Sequence, residues 1–196
     1  LRLVVSGSRE TGIFMYHANM IAKIAKARPL YIMIRMFLLT TVISAFLGSV
    51  TTIMILVPIV LLIASELKIT PIPFIITMVI ASNGGGAATM IGDPPNILIG
   101  SATDYTFMDF ILNLTPPVLL ITFTSIGLIW LLYRKGMHVS NENRAKLMSY
   151  NEKHLIKNKF LLRVSLIELF VMLTAFSLQG VLHLETATIA MSAGLF

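Results

Sequence analysis

Charged residues are so sparse along most of this chain that the gaps between them mark out its elements. Between Arg35 and Glu66 every residue is uncharged. That gap of about 30 residues would make a straight helix of roughly 45 Å, whereas one bilayer span needs about 20 residues and two need about 40. Gly48-Ser49 divides it into "MFLLTTVISAFL" and "VTTIMILVPIVLLIAS". The pattern predicts a re-entrant hairpin over 35–66, each arm about half a bilayer long; such backbone is tolerated at membrane depth only where protein or a cavity surrounds it. A second apolar element covers 72–101 and is broken in its middle. Phe110–Tyr133 is uncharged and reads as a full span over 110–133. Val164–Leu184 reads as another, interrupted by Glu168. Residues 10–30 read as an amphipathic or interfacial segment.

The sides of these elements follow from the charges that separate them. The stretch 134–163 carries Arg134, Lys135, Arg144, Lys146, Lys153, Lys157, Lys159 and Arg163 against Glu142 and Glu152. Short basic loops stay on the cytoplasmic side. The link holding Asp104 and Asp109 is then outside, Glu66 and Lys68 are inside, and so is the segment with Lys23, Lys26, Arg28 and Arg35. Both ends of 35–66 therefore fall on one side, as a hairpin requires.

Composition changes the picture in two respects. The 196 residues are 56% hydrophobic and 12% charged, against about one quarter charged in soluble domains, so the expected fold is an all-α, multi-pass membrane protein of the cell or inner membrane. The net charge of +6 sits in connecting stretches and reads as membrane orientation, with no nucleic-acid partner. Without cysteine there is no disulfide framework or thiolate metal site. His17, His138, His154 and His183 show no ligand spacing. The chain opens Leu1-Arg2-Leu3 and closes within the apolar run "TATIAMSAGLF", which reads as a fragment of a longer polytopic protein.

The chemistry concentrates in "ASNGGGAATMIGDPPNILIGS" (81–101). Gly84, Gly85 and Gly86 each lower helix propensity by about 1 kcal/mol. Pro94 and Pro95 remove two amide donors. Asp93 at mid-bilayer would cost about 2.5–3.5 kcal/mol. A segment carrying all three penalties reads as a discontinuous helix, which exposes free carbonyls at one half-helix end and free amides at the other. Ser49, Thr51 and Thr52 place hydroxyls at the hairpin tip, hard ligands suited to a small cation. Asn83 and Asn96 flank the break. The candidate binding set is Ser49, Thr51, Thr52, Asn83, Gly84, Gly85, Asp93, Pro94, Pro95 and Asn96. A coupling Na+ would use Ser49, Thr51, Asn83 and Asp93. Thr40, Thr41 and Ser44 have a competing structural role, bonding back to their own helix, and the glycines alone favour helix packing.

"SNGGGAATMIGDPPNILIG" (82–100), "ETGIF" (10–14) and "SAFLGSVTTIMILVPI" (44–59) closely resemble, in order, the signature stretches of the ion transporter superfamily branch that holds the arsenical pump membrane subunit, the melanosomal P protein and citrate-transporter-like permeases. The resemblance covers residues 8–133 and implies that 1–133 is the first of two inverted repeats, each a re-entrant hairpin followed by a broken helix, with 164–196 beginning the second. It implies a secondary transporter, not an enzyme, that carries an anion or oxyanion of the arsenite/antimonite or carboxylate class, coupled to Na+ or H+. Expected partners are that small anion, the bilayer, the second repeat of the same chain and, in a homodimer, a second copy; no cofactor beyond the coupling ion is expected. P-protein-like tips read Asp-Asn-Val-Thr-Thr, and here Gly48 and Ser49 replace the carboxylate and the amide, which implies either a different coupling or coupling through Asp93 alone. The alternatives are a Na+/H+ antiporter that uses Asp93 and, remotely, an intramembrane aspartyl protease, whose Gly-x-Gly-Asp signature is missing its first glycine at Met90.

Overall fold

The computed structural model describes Met20 and residues 24–103, 105–134, 136, 139–148, 167, 170–171 and 174–175. Most of segment 10–30, the greater part of the basic loop, Glu168 and nearly all of 164–196 lie outside the described residues. Among the described residues every regular element is a helix: α1 Pro29–Leu47, α2 Ser49–Leu67, α3 Ile72–Ala87, α4 Pro94–Ala102, α5 Phe107–Tyr133 and α6 Asn141–Met148. The protein is all-α, and α1, α2 and α5 are long and apolar enough to cross a membrane by length and composition.

Local chemistry places most of these boundaries. Proline begins α1, where its missing amide costs nothing and its φ suits the first turn. Gly48 ends α1 at φ 86, a left-handed backbone that only glycine adopts freely. One residue thus closes α1 and opens α2. Lys68 closes α2 in the left-handed region and donates its amide to the Ala64 and Ser65 carbonyls. Thr106 and Asp109 form a reciprocal capping box at the start of α5, satisfying two amides of its first turn.

Both hairpin arms are longer than the charge spacing predicts, 19 residues each. Arg35 does not begin α1; it lies inside it, half-buried. In the broken element the interruption starts later than the glycines. Gly84, Gly85 and Gly86 are all helical, and the chain leaves the helix only at 88–93.

Four pairs of positions set the topology. Gly85 packs on the Thr41 backbone, Thr89 bonds to the Ala45 carbonyl, Gly92 lies against Gly48, and Asp93 meets Ser49. Every pair differs by 44 in sequence, so the end of α3 and the break that follows it run alongside the end of α1 in the same direction, and α1 and α3 are parallel. The intervening α2 must return the chain, antiparallel to both. On α5, Val118 packs with Ala45 and Ala88, while Ile126, Ile129 and Tyr133 pack on the main apolar cluster, so α5 also runs from tip to base. That cluster joins Ile32, Met33, Met36 and Phe37 of α1, Leu56, Ile59 and Ile63 of α2, and Phe74 and Met78 of α3.

Val118 lies near the middle of the 27-residue α5. From Val118 to Tyr133 is about 22 Å and from Phe107 to Val118 about 16 Å at 1.5 Å per residue. The hairpin tip therefore meets α5 partway along its length.

Candidate functional site

Three helix ends meet at the hairpin tip: the start of α2, the end of α3 and the start of α4. The carboxylate of Asp93 connects them. Asp93 is the N-cap of α4, with extended backbone, yet no side chain caps that helix. An N-cap carboxylate normally takes the amide of the second or third helical residue. Here the first two positions are Pro94 and Pro95, which have no amide, and the Asn96 amide bonds to the Asp93 carbonyl at 3.1 Å. Asp93 therefore turns away from its own helix and accepts the Ser49 hydroxyl through Oδ1.

That contact sets the carboxylate at the N-terminus of α2, where the helix dipole and free amides favour negative charge. No side chain caps α2. The Ser49 amide goes to the Gly92 carbonyl at 3.3 Å, and the Thr52 amide goes to Gly48 at 3.1 Å. The first-turn amides of Val50 and Thr51 have no intrahelical acceptor, as helix geometry dictates.

Glycines make the approach possible, and each does something different. A Cβ on Gly86 would stand 2.6 Å from Asp93 Oδ2, and one on Gly92 would overlap the Gly86 backbone. A Cβ on Gly85 would strike the Thr41 backbone of α1. A Cβ on Gly84 meets nothing within 4 Å.

The hydroxyls divide in the same way. Thr40 and Thr41 donate back to the Met36 and Phe37 carbonyls at 2.7 and 3.0 Å, and Thr52 to Gly48 at 2.8 Å. Ser44 instead crosses to the Ser82 carbonyl on α3 at 2.5 Å, and Thr89 crosses to Ala45. Both crossing hydroxyls are buried; Ser44 ties α1 to α3 and Thr89 ties the break to α1, just below the site.

Of the residues expected to bind, the fold brings Ser49 and Asp93 into contact, with Thr51 half-buried on the same turn of α2. Thr52 is buried and engaged with its own helix. Asn83 is exposed and Gly84 faces open space, so neither adjoins the carboxylate; both sit on the turn of α3 that points away from α1. Gly85 is taken up by helix packing. Pro94 and Pro95 are exposed. Asn96 donates to the Ala87 and Thr89 carbonyls at 3.2 and 2.9 Å, so it seals the end of α3, and the α4 terminus offers few amides. Among the described residues no group of three or more His, Cys, Asp or Glu side chains could hold a metal ion. Ser44, Thr89, Gly86 and Gly92 were not singled out from sequence as parts of the site. The signal for Gly86 and Gly92 was their flanking of Asp93 at backbone-contact range, which sequence spacing does not reveal.

Residues 2–195 match the family described as citrate transporter. The chain is 38% identical over 191 residues to a 46 kDa membrane protein of Mycobacterium leprae and 39% identical over 193 residues to an uncharacterized transporter of Mycobacterium tuberculosis, covering 97% of this chain and 44% of each relative. It is 32% identical over 188 residues to the magnetosome protein MamN of Magnetospirillum gryphiswaldense, covering 94% of this chain and 43% of that protein. The chain thus spans less than half the length of these relatives.

Proposed function

The chain belongs to the citrate transporter family, and from that premise we propose that the full-length protein is a secondary transporter moving a small carboxylate or oxyanion, coupled to Na+ or protons by alternating access. The observation that supports this most directly is the contact of Ser49 with Asp93 across the helix break. In this reading the bundle base faces the cytoplasm and the hairpin is re-entrant, since its tip meets α5 at mid-length.

Coupling follows from competition for one helix terminus. Ionised Asp93 occupies the positive end of α2. A substrate carboxylate brought to the Val50 and Thr51 amides would meet that like charge at close range. A proton on Asp93, or a Na+ held by Asp93, Ser49 and Thr51, removes the repulsion, and the same terminus then accepts the anion. Each charge state favours a different occupant, so substrate and ion bind together. The second repeat would complete the site from the opposite side.

The test is uptake by the full-length protein in proteoliposomes, offering citrate, succinate, arsenite, sulfate and labelled Na+ under Na+ or pH gradients. Gradient-driven flux of one anion is expected, with Asp93→Asn uncoupling it from the gradient and Ser49→Ala weakening it by about tenfold or more, the worth of one hydrogen bond to a charged group. Na+/H+ exchange without anion flux would overturn the reading in favour of an antiporter.

A further inference from the structure

A second polar site lies at the base of the bundle, far along α1 from the tip. Ile24, Ala25, Lys26, Arg28, Tyr31 and Arg35 line a cleft of about 210 Å³. Three of these six carry positive charge and none carries negative charge. Three features of the cleft favour an anion. Arg35 keeps its Nη1 buried with no hydrogen-bond partner, although a guanidinium stays charged at any physiological pH and a buried unpaired donor is costly. The N-cap of α1 is itself basic, Arg28, with no side-chain cap and no acid in the first turn, so the positive end of the dipole adds to the cations instead of being offset by them. Lys26 and Ala27 both hold positive φ, 52 and 50, in a conformation that non-glycine residues avoid, and this turn sets Lys26 on the cleft beside Arg28.

The surroundings place the cleft at a membrane boundary. Arg28 lies 6.0 Å from the Tyr31 ring centroid, and at the same end of the bundle Arg134 lies 4.8 Å from that of Trp130. Aromatic and basic residues paired in this way sit at headgroup level. Ala25, Ala27 and Ile129 belong to the same apolar core cluster. A volume of about 210 Å³ is below the roughly 300–1,000 Å³ of pockets that enclose a whole drug-sized ligand, and suits a headgroup-sized anion.

We propose that this cleft binds a phosphate-class anion, with the Arg35 fork and the Lys26 ammonium on its oxygens and the α1 N-terminus behind them. Basic pockets between transmembrane helices take anionic lipid headgroups, and free phosphate has the same chemistry. The site is separate from the Ser49–Asp93 contact and does not depend on the transport reading.

The full-length protein in neutral detergent would be titrated with short-chain phosphatidylglycerol, phosphatidylcholine of equal chain length, inorganic phosphate and citrate, reading binding by native mass spectrometry and thermal stabilisation. Phosphatidylglycerol is expected to bind in preference to phosphatidylcholine, with affinity falling about tenfold or more in Arg35→Gln, the loss of a charge-assisted hydrogen bond. Arg35→Lys would fall in between, since it keeps the charge and loses the fork. Lys26→Ala with Arg28→Ala, two exposed positions whose loss leaves the core intact, would reproduce the defect. Inorganic phosphate binding with the same dependence on Arg35, and no lipid preference, supports the site and assigns it to the free anion. Citrate binding in place of phosphate, or lipid binding indifferent to all these variants, overturns the proposal.

Discussion

At the base of the bundle Met33, Met36, Phe37, Leu56, Ile63, Phe74 and Met78 meet as large side chains with almost no exposure. At the tip the same helices meet almost without side chains: Gly85 on the Thr41 backbone, Gly92 on Gly86, Ser44 on a carbonyl, Ser49 on a carboxylate. In lipid there is little hydrophobic drive to hold helices together, and association rests on close packing and interhelical hydrogen bonds. The base uses the first of these and the tip the second. Bulky interlocking side chains resist sliding. Backbone contacts through glycine, joined by a few directional bonds, leave polar groups in reach of a solute and can be exchanged one for one with ligand bonds. The contrast suggests a rigid base carrying a tip that chemistry can rearrange.

The sharpest way to break the comparison is to put a side chain where the tip has none. Gly85→Leu should exceed the roughly 1–3 kcal/mol of ordinary overpacking, because backbone and not a movable side chain stands in its way; loss of folded full-length protein on size-exclusion chromatography would show it. Phe37→Ala at the base should cost toward the lower end of the roughly 3–5 kcal/mol seen for buried aromatics, lipid having removed part of the solvent term, and should lower the melting temperature while leaving the gradient coupling proposed above intact. A coupling defect in that variant would mean that base and tip are not separate. Asn96→Ala strips the Ala87 and Thr89 carbonyls of their donor and should cost about 1–3 kcal/mol, visible as faster amide exchange at the end of α3. Gly84→Ala, beside the disruptive position, should have the smallest effect and the opposite sign, stabilising by up to about 1 kcal/mol through helix propensity; a destabilised protein in thermal melts would show that something outside these residues packs there.

Much of the fold was legible in the residues. The uncharged gap between Arg35 and Glu66, with Gly48 near its middle, corresponds to the α1–α2 pair because only glycine takes the backbone that joins them. The long uncharged run before Arg134 corresponds to α5, extended by the Thr106–Asp109 capping box. The glycine triplet was harder to read: propensity argued for a break there, yet all three residues are helical, with Gly85 packed on the Thr41 backbone and Gly86 against Asp93. Asn83 and Asn96 look equivalent in sequence, flanking the break with the same side chain. One is exposed and the other seals a helix end, and nothing local distinguishes them.

The sequence by itself determined an all-helical membrane protein, a joint at Gly48-Ser49, and the prolines that rob α4 of its first amides, because charge cost, helix propensity and a missing donor act within a few residues. Only the tertiary structure decided where the Asp93 carboxylate goes. Its partner is 44 residues away, and the parallel register of α1 and α3 brings them together. Register is set by which backbones can approach most closely, a property of two helices packed together.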